Sequence, residues 1–131
     1  MDKAHPLTTP KDPFHPRKQD EETLGPEVPY LSAIGALTYL ASNTRPDIAF
    51  AVILLARFSS DPTKRHWDGI KHIFRYLRGT IDLGLFFPNN SRSWLVGFAD
   101  AGYMSDPYFG RSQIGYLFTY CDTAIFWKYT K

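Results

Sequence analysis

The feature that most constrains the fold of this chain is a change of apolar period at Gly79. Before that glycine, large apolar residues recur every three or four positions, as on one side of a helix. After it they come in short aliphatic and aromatic runs separated by turn residues, the signature of strands. Helical segments followed by strand segments predict an α+β fold.

Three helices are expected. Tyr30, Ile34 and Leu37 share one face, with Leu31 and Leu40 close beside it, and this first helix ends near Ser42-Asn43-Thr44. A second starts around Pro46-Asp47, where proline suits the first turn and the Asp charge complements the helix N-terminus. Its body, Ile48 to Phe58, is apolar nearly all round, which marks a buried helix. For the third, Asp61-Pro62 supplies an N-cap and first-turn pair and Gly79 a C-terminal stop. Trp67, Ile70, Ile73, Phe74 and Leu77 form its apolar stripe, and Lys64, Arg65, Lys71, Arg75 and Arg78 populate the remaining surface.

Beyond Gly79 the strand-like runs are Leu83 to Phe87, Trp94 to Ala99, Ile114 to Tyr120 and Ala124 to Tyr129. The last three predict an antiparallel meander with an open apolar edge, and self-association through that edge is expected. The run from Trp94 delivers Asp100 next to Ala101-Gly102. A carboxylate at a strand's tip is a candidate metal ligand, but divalent-cation chemistry takes several converging oxygens, and an isolated Asp after a strand also serves as turn chemistry.

Charge is distributed unevenly. Residues 1–29 sum to −2, 30–61 to zero, 62–79 to +4 and 80–131 to zero, so the positive field sits on the third helix. A basic amphipathic helix is suited to gripping a phosphate backbone, and the competing reading is a solvated face that keeps the helix soluble. Six of the ten prolines fall in residues 1–29 with almost no large apolar residues, which predicts an extended or disordered lead-in. Cys121 is the sole cysteine, so no internal disulfide and no Cys-based metal site is possible. No signal peptide and no apolar stretch approaching the roughly 18 residues of a membrane span is evident, and an intracellular location, cytoplasmic or nuclear, away from any bilayer is expected.

Several separated stretches resemble the Pol polyprotein of copia-type retrotransposons. They are Val28 through Ala41, Thr44-Arg45-Pro46-Asp47 through Val52, His66-Trp67 through Thr80, and Gly97-Phe98-Ala99-Asp100-Ala101. Asp106-Pro107, Arg111-Ser112, Gly115-Tyr116 and Ala124-Ile125-Phe126-Trp127-Lys128 follow in order. The resemblance implies three regions: the lead-in at 1–29, a helical region at 30–80 similar to the thumb or connection end of reverse transcriptase, and an incomplete ribonuclease H-like β region at 81–131. It implies that Asp100 is the remnant of the first metal-binding, catalytic carboxylate of that ribonuclease H. In the parent enzyme it would belong to an acidic set holding Mg²⁺. No cofactor is expected for the chain itself.

The chain departs from the family where the resemblance would need more acids. The position two residues after Asp100, often a second Asp, is Gly102, and the usual Gly-Gly between the second and third strands is Cys121-Asp122. Asp106 and Asp122 are the remaining acids nearby, one in a loop and one in a turn. The polymerase aspartates and the later ribonuclease H acids would lie outside this stretch, so a Pol-derived piece without autonomous catalysis is expected, and marginal stability with it. Two alternatives stand beside that. Residues 62–79 would bind an RNA–DNA or DNA duplex, weakly, through Lys64, Arg65, Lys71, Arg75 and Arg78. Arg75-Tyr76-Leu77-Arg78 also fits the Arg-x-Leu-Arg pattern of secreted pathogen effectors, although Leu77 is needed on the apolar stripe.

Overall fold

The computed structural model describes residues 22–89, 94–102, 110 and 112–130. The chain divides between Leu83 and Gly84 into two compact units.

The first unit is helical. Its α1 (Tyr30–Asn43) buries Tyr30, Ile34, Leu37 and Ala41, a single stripe at helical spacing, while Leu31 is exposed. The Tyr30 hydroxyl donates to the Leu55 carbonyl at 2.7 Å, so the start of α1 is pinned to the end of α2 (Ala49–Ala56). Pro46 and Asp47 open a 3₁₀ turn (Pro46–Ile48), not the α-helix itself. The helical run also closes earlier than its apolar composition predicts. The Phe58 N–H reaches back three residues to the Leu55 carbonyl (3.1 Å), and the Ser59 hydroxyl takes the Ala56 carbonyl at 2.7 Å. A hydroxyl that captures a backbone carbonyl competes with helix continuation.

The third helix, α3 (Lys64–Gly79), begins two residues later than Asp61-Pro62 predicts. Its N-cap is Thr63, and His66 stands where a capping box ordinarily carries Glu or Gln: Nδ1 of His66 accepts the Thr63 N–H at 3.0 Å. The buried His66 ring also stacks on Phe58, with 3.9 Å between centroids. Asp61 is occupied in the preceding turn, its N–H donating to the Phe58 carbonyl at 3.2 Å. At the other end the helix runs through Gly79 and stops at Thr80, whose hydroxyl donates to the Tyr76 carbonyl at 2.9 Å. A polar side chain does there what a left-handed glycine was expected to do.

The buried side of α3 is His66, Gly69, Ile70, Ile73 and Tyr76, with Trp67, Phe74 and Leu77 partly buried. Residues 22–29 of the lead-in are described. Thr23 bridges Thr63 and the Leu24 N–H donates to the Pro62 carbonyl at 2.8 Å, because the Leu24 side chain finds the helical core to pack on. The remainder of the proline-rich segment, residues 1–21, lies outside the described residues.

In the second unit, β1 (Leu95–Gly102), β2 (Gln113–Tyr120) and β3 (Thr123–Thr130) form an antiparallel sheet in that order. The expected strand at Leu83 to Phe87 is not formed. A short apolar run becomes a strand only where a neighbour completes its ladder. Here the Phe86 carbonyl accepts the Thr123 hydroxyl instead.

The β2–β3 connection is a two-residue turn in which Cys121 and Asp122 both take positive φ, 50° and 61°. The hairpin thus keeps a primed turn without the glycine that normally makes one cheap. Within the sheet, Gly97 lies opposite Phe118, and a Cβ on it would stand 2.9 Å from the Phe118 ring. The aromatic covers the glycine, so the two residues act as one packing unit.

Candidate nucleic-acid interface

All five predicted basic residues lie on α3. Lys64, Lys71 and Arg78 are exposed, while Arg65 and Arg75 are half-buried. Positions 64, 71, 75 and 78 follow helical spacing along one side for about 21 Å at 1.5 Å per residue. Arg65 sits about 100° round the helix from Lys64. Asp68 interrupts the stripe, and its carboxylate meets the Lys71 ammonium at 2.5 Å in an exposed pair worth ~0.5 kcal/mol. The opposite side of α3 is committed to the core, so the helix presents its charge outward by necessity.

What orients the C-terminal end of that stripe is a polar cluster that sequence reasoning missed. Arg45 makes a bidentate pair with Asp47, Nε to Oδ1 at 3.0 Å and Nη2 to Oδ2 at 2.7 Å. The Tyr76 hydroxyl donates to Asp47 Oδ2 at 2.7 Å. Arg45 also reaches Thr80, Nη2 to Oγ1 at 2.7 Å and Nη1 to the carbonyl at 3.2 Å, and its guanidinium carbon lies 5.6 Å from the centre of the Tyr76 ring. The connector between α1 and α2 is therefore clamped to the last turn of α3, on which Arg75 and Arg78 stand.

Burial alone pushes the Asp47 carboxyl up, but the Arg45 fork and the Tyr76 hydroxyl outweigh it and hold the group below the usual carboxylate range. Arg45 is shifted up, first by its bond to Asp47, and the Tyr76 phenol is shifted up by burial and then by Asp47. Asp47 was expected only to complement a helix terminus. The signals for its further role are Asp47 two residues after Arg45, and a tyrosine on the buried side of α3 whose hydroxyl needs a partner.

Asp100 is exposed on β1, opposite Gly115. Asp122 sits in the β2–β3 turn beyond the Leu95–Tyr120 pair, five residues along β1 from Asp100 or about 17 Å at ~3.4 Å per residue. Asp106 lies outside the described residues. Among the described residues no three His, Cys, Asp or Glu side chains form a group that could hold a metal ion. No described helix is long and apolar enough to cross a membrane.

Comparison with known proteins places the sequence among relatives. It is 40% identical over 135 residues to the retrovirus-related Pol polyprotein from transposon TNT 1-94 of Nicotiana tabacum, matching 98% of this chain and 10% of that protein. It is 35% identical over 129 residues to the corresponding polyprotein from transposon RE1 of Arabidopsis thaliana, matching 98% of this chain and 9% of the relative. It is also 44% identical over 104 residues to the Secreted RxLR effector protein 161 of Plasmopara viticola, 79% of this chain and 73% of that protein. The chain thus spans about a tenth of the Pol polyproteins it matches. No protein-family model and no solved structure matches it. The chain belongs to the family that these proteins share, as a sequence derived from a retrotransposon Pol polyprotein.

Proposed function

We propose that this chain corresponds to the junction of the reverse transcriptase and ribonuclease H regions of a copia-type Pol polyprotein, and that its own activity is non-catalytic binding of a nucleic-acid duplex through α3. The observation that carries the binding reading is the outward stripe of Lys64, Lys71, Arg75 and Arg78, held in place by a helix whose other side is buried. Phosphates along a duplex backbone are the natural partners of cations set on one line. The Arg45–Asp47–Tyr76 clamp acts as a positioning element for the last turn. Asp100 has no part in this binding.

Fluorescence anisotropy with a labelled RNA–DNA hybrid and a DNA duplex tests this. Neutralising three or four phosphates gives a log–log salt slope of about −3 to −4, so affinity falls roughly 40- to 150-fold between ~50 and ~200 mM salt. Lys64→Ala and Arg78→Ala each reduce that slope by about one. Absence of binding at low salt, or binding indifferent to salt, refutes the reading. Asp100→Asn leaves binding unchanged.

The similarity to a protein named as a secreted RxLR effector favours a second reading, in which Arg75-Tyr76-Leu77-Arg78 is an export signal. Recovery of the intact chain outside the producing cell, abolished by Arg75→Ala, would support it; retention would dismiss it.

A further inference from the structure

Side-chain alternation gives the sheet two unlike faces. One carries Asp100 together with Val96 and Phe98. The other carries no carboxylate among its described residues and is built on the register line Gly97–Phe118–Phe126. Tyr116 lies on that same face, its ring 5.9 Å from Phe126 and 6.2 Å from Phe118. Together they wall a hollow of about 460 Å³ that Gly97, Phe98 and Ala99 also line. Phe126 stands at its rim, 56% exposed.

We propose that a second copy of this chain covers this face, forming a two-fold dimer in which Phe126 of each copy enters the hollow of the other. The surface is self-complementary, a protruding ring beside a cavity lined by rings, as an isologous interface requires. Its area is also of the right size. Leu95, Ile114, Phe118, Tyr120 and Phe126 are 65%, 47%, 38%, 43% and 56% exposed. At ~180 Å² for a large side chain they offer ~450 Å² of apolar surface per copy, ~900 Å² for the pair. A standard ~1,600 Å² interface in a homodimer is ~65% apolar, or ~1,000 Å². Five side chains supply nearly all of it.

The choice of face follows from exposed apolar surface. On the opposite face of β1 and β2 the large exposed hydrophobics are Val96 and Phe98, 41% and 56%. On the proposed face the charged side chain is Lys128, on the edge strand opposite Tyr116, where its stem can lie on apolar surface with the ammonium in water.

Sedimentation equilibrium of the full chain across ~1 to ~100 µM, bracketing a micromolar Kd, reads the outcome. The expected mass at the upper end is twice the 15.0 kDa of one chain. Phe126→Ser and Leu95→Ser return it to that of a single chain. Val96→Ser removes an exposed side chain, 41%, from the other face and leaves the dimer intact. Far-UV circular dichroism checks each variant, and Leu95→Ser decides if Phe126→Ser disturbs the sheet. Four results overturn the proposal: a single-chain mass throughout; assemblies growing beyond two copies, which would indicate pairing of the open β1 and β3 edges; equal effects of Val96→Ser and Phe126→Ser; or a single-chain protein whose affinity for a single-stranded oligonucleotide is lost in Phe126→Ser, which would assign the rings to base stacking.

Discussion

Replacing Asp47 by Asn tests how the helical unit is held together. The Arg45 side chain is 11% exposed and that of Asp47 is 33% exposed. Removing one partner of a fully buried pair costs about 3–5 kcal/mol, and losing a surface pair about 0–1 kcal/mol. With one partner buried and the other a third exposed, the expected cost lies between, at ~2 kcal/mol. For a small helical unit with an m-value near ~1 kcal/mol/M, the urea midpoint followed at 222 nm drops by ~2 M at neutral pH. Tyr76→Phe removes one hydrogen bond to a charged group and costs ~1–2 kcal/mol, and the double variant loses less than the sum because both act on Asp47. The pH dependence has a definite sign. Asp47 has a folded pKa below its unfolded value, so its contribution is complete above the ordinary carboxylate range near ~4 and is lost as pH falls through the folded pKa. The native and Asp47→Asn midpoints therefore differ most at neutral pH and converge in acid. A midpoint unchanged at neutral pH, or a gap that widens in acid, would show that the pair does not stabilise the fold.

Tyr30→Phe leaves the Leu55 carbonyl without its 2.7 Å donor and is expected to cost ~1–2 kcal/mol by urea unfolding. Burial raises the Tyr30 phenol, so its contribution persists below its unfolded pKa of ~10 and is lost on further alkalinisation; Tyr30→Phe flattens that limb. In the β2–β3 turn, the paired change Cys121→Asn and Asp122→Gly relieves left-handed backbone at both positions and should stabilise the hairpin by ~1 kcal/mol, read by slower amide exchange across β2 and β3. Gly97→Ala drives a methyl into the Phe118 ring and is expected to destabilise the sheet by ~1 kcal/mol, an effect largely absent in a Phe118→Ala background.

The helices were legible because burial writes itself locally: Tyr30, Ile34 and Leu37 announce α1 by spacing alone. The ends were less so. Thr63 caps α3 through His66, a partner outside the usual capping-box chemistry, so the more familiar Asp61-Pro62 drew the boundary too early. The clamp was not legible at all, because Asp47 meets Tyr76 across 29 residues and Arg45 meets Thr80 across 35. Local pattern also overstated Leu83 to Phe87, whose aliphatic and aromatic run says that the segment would suit a sheet but not that a neighbour is there. Asp100 was recognised through family resemblance, while its isolation among the described acids became visible only when the register separated it from Asp122.

The position of Tyr76 bears on how a four-letter string such as Arg-Tyr-Leu-Arg can be read. A peptide signal read in extended form needs several consecutive side chains available to a groove. Within α3 the four residues make just over one turn, Tyr76 and Leu77 turned to the core and Arg75 and Arg78 standing towards water. A receptor that needed all four would first have to unwind that turn and break the bond from Tyr76 to Asp47. In the folded chain the letters are adjacent in writing but not on any one surface, and a search for the string finds a piece of hydrophobic core flanked by two arginines.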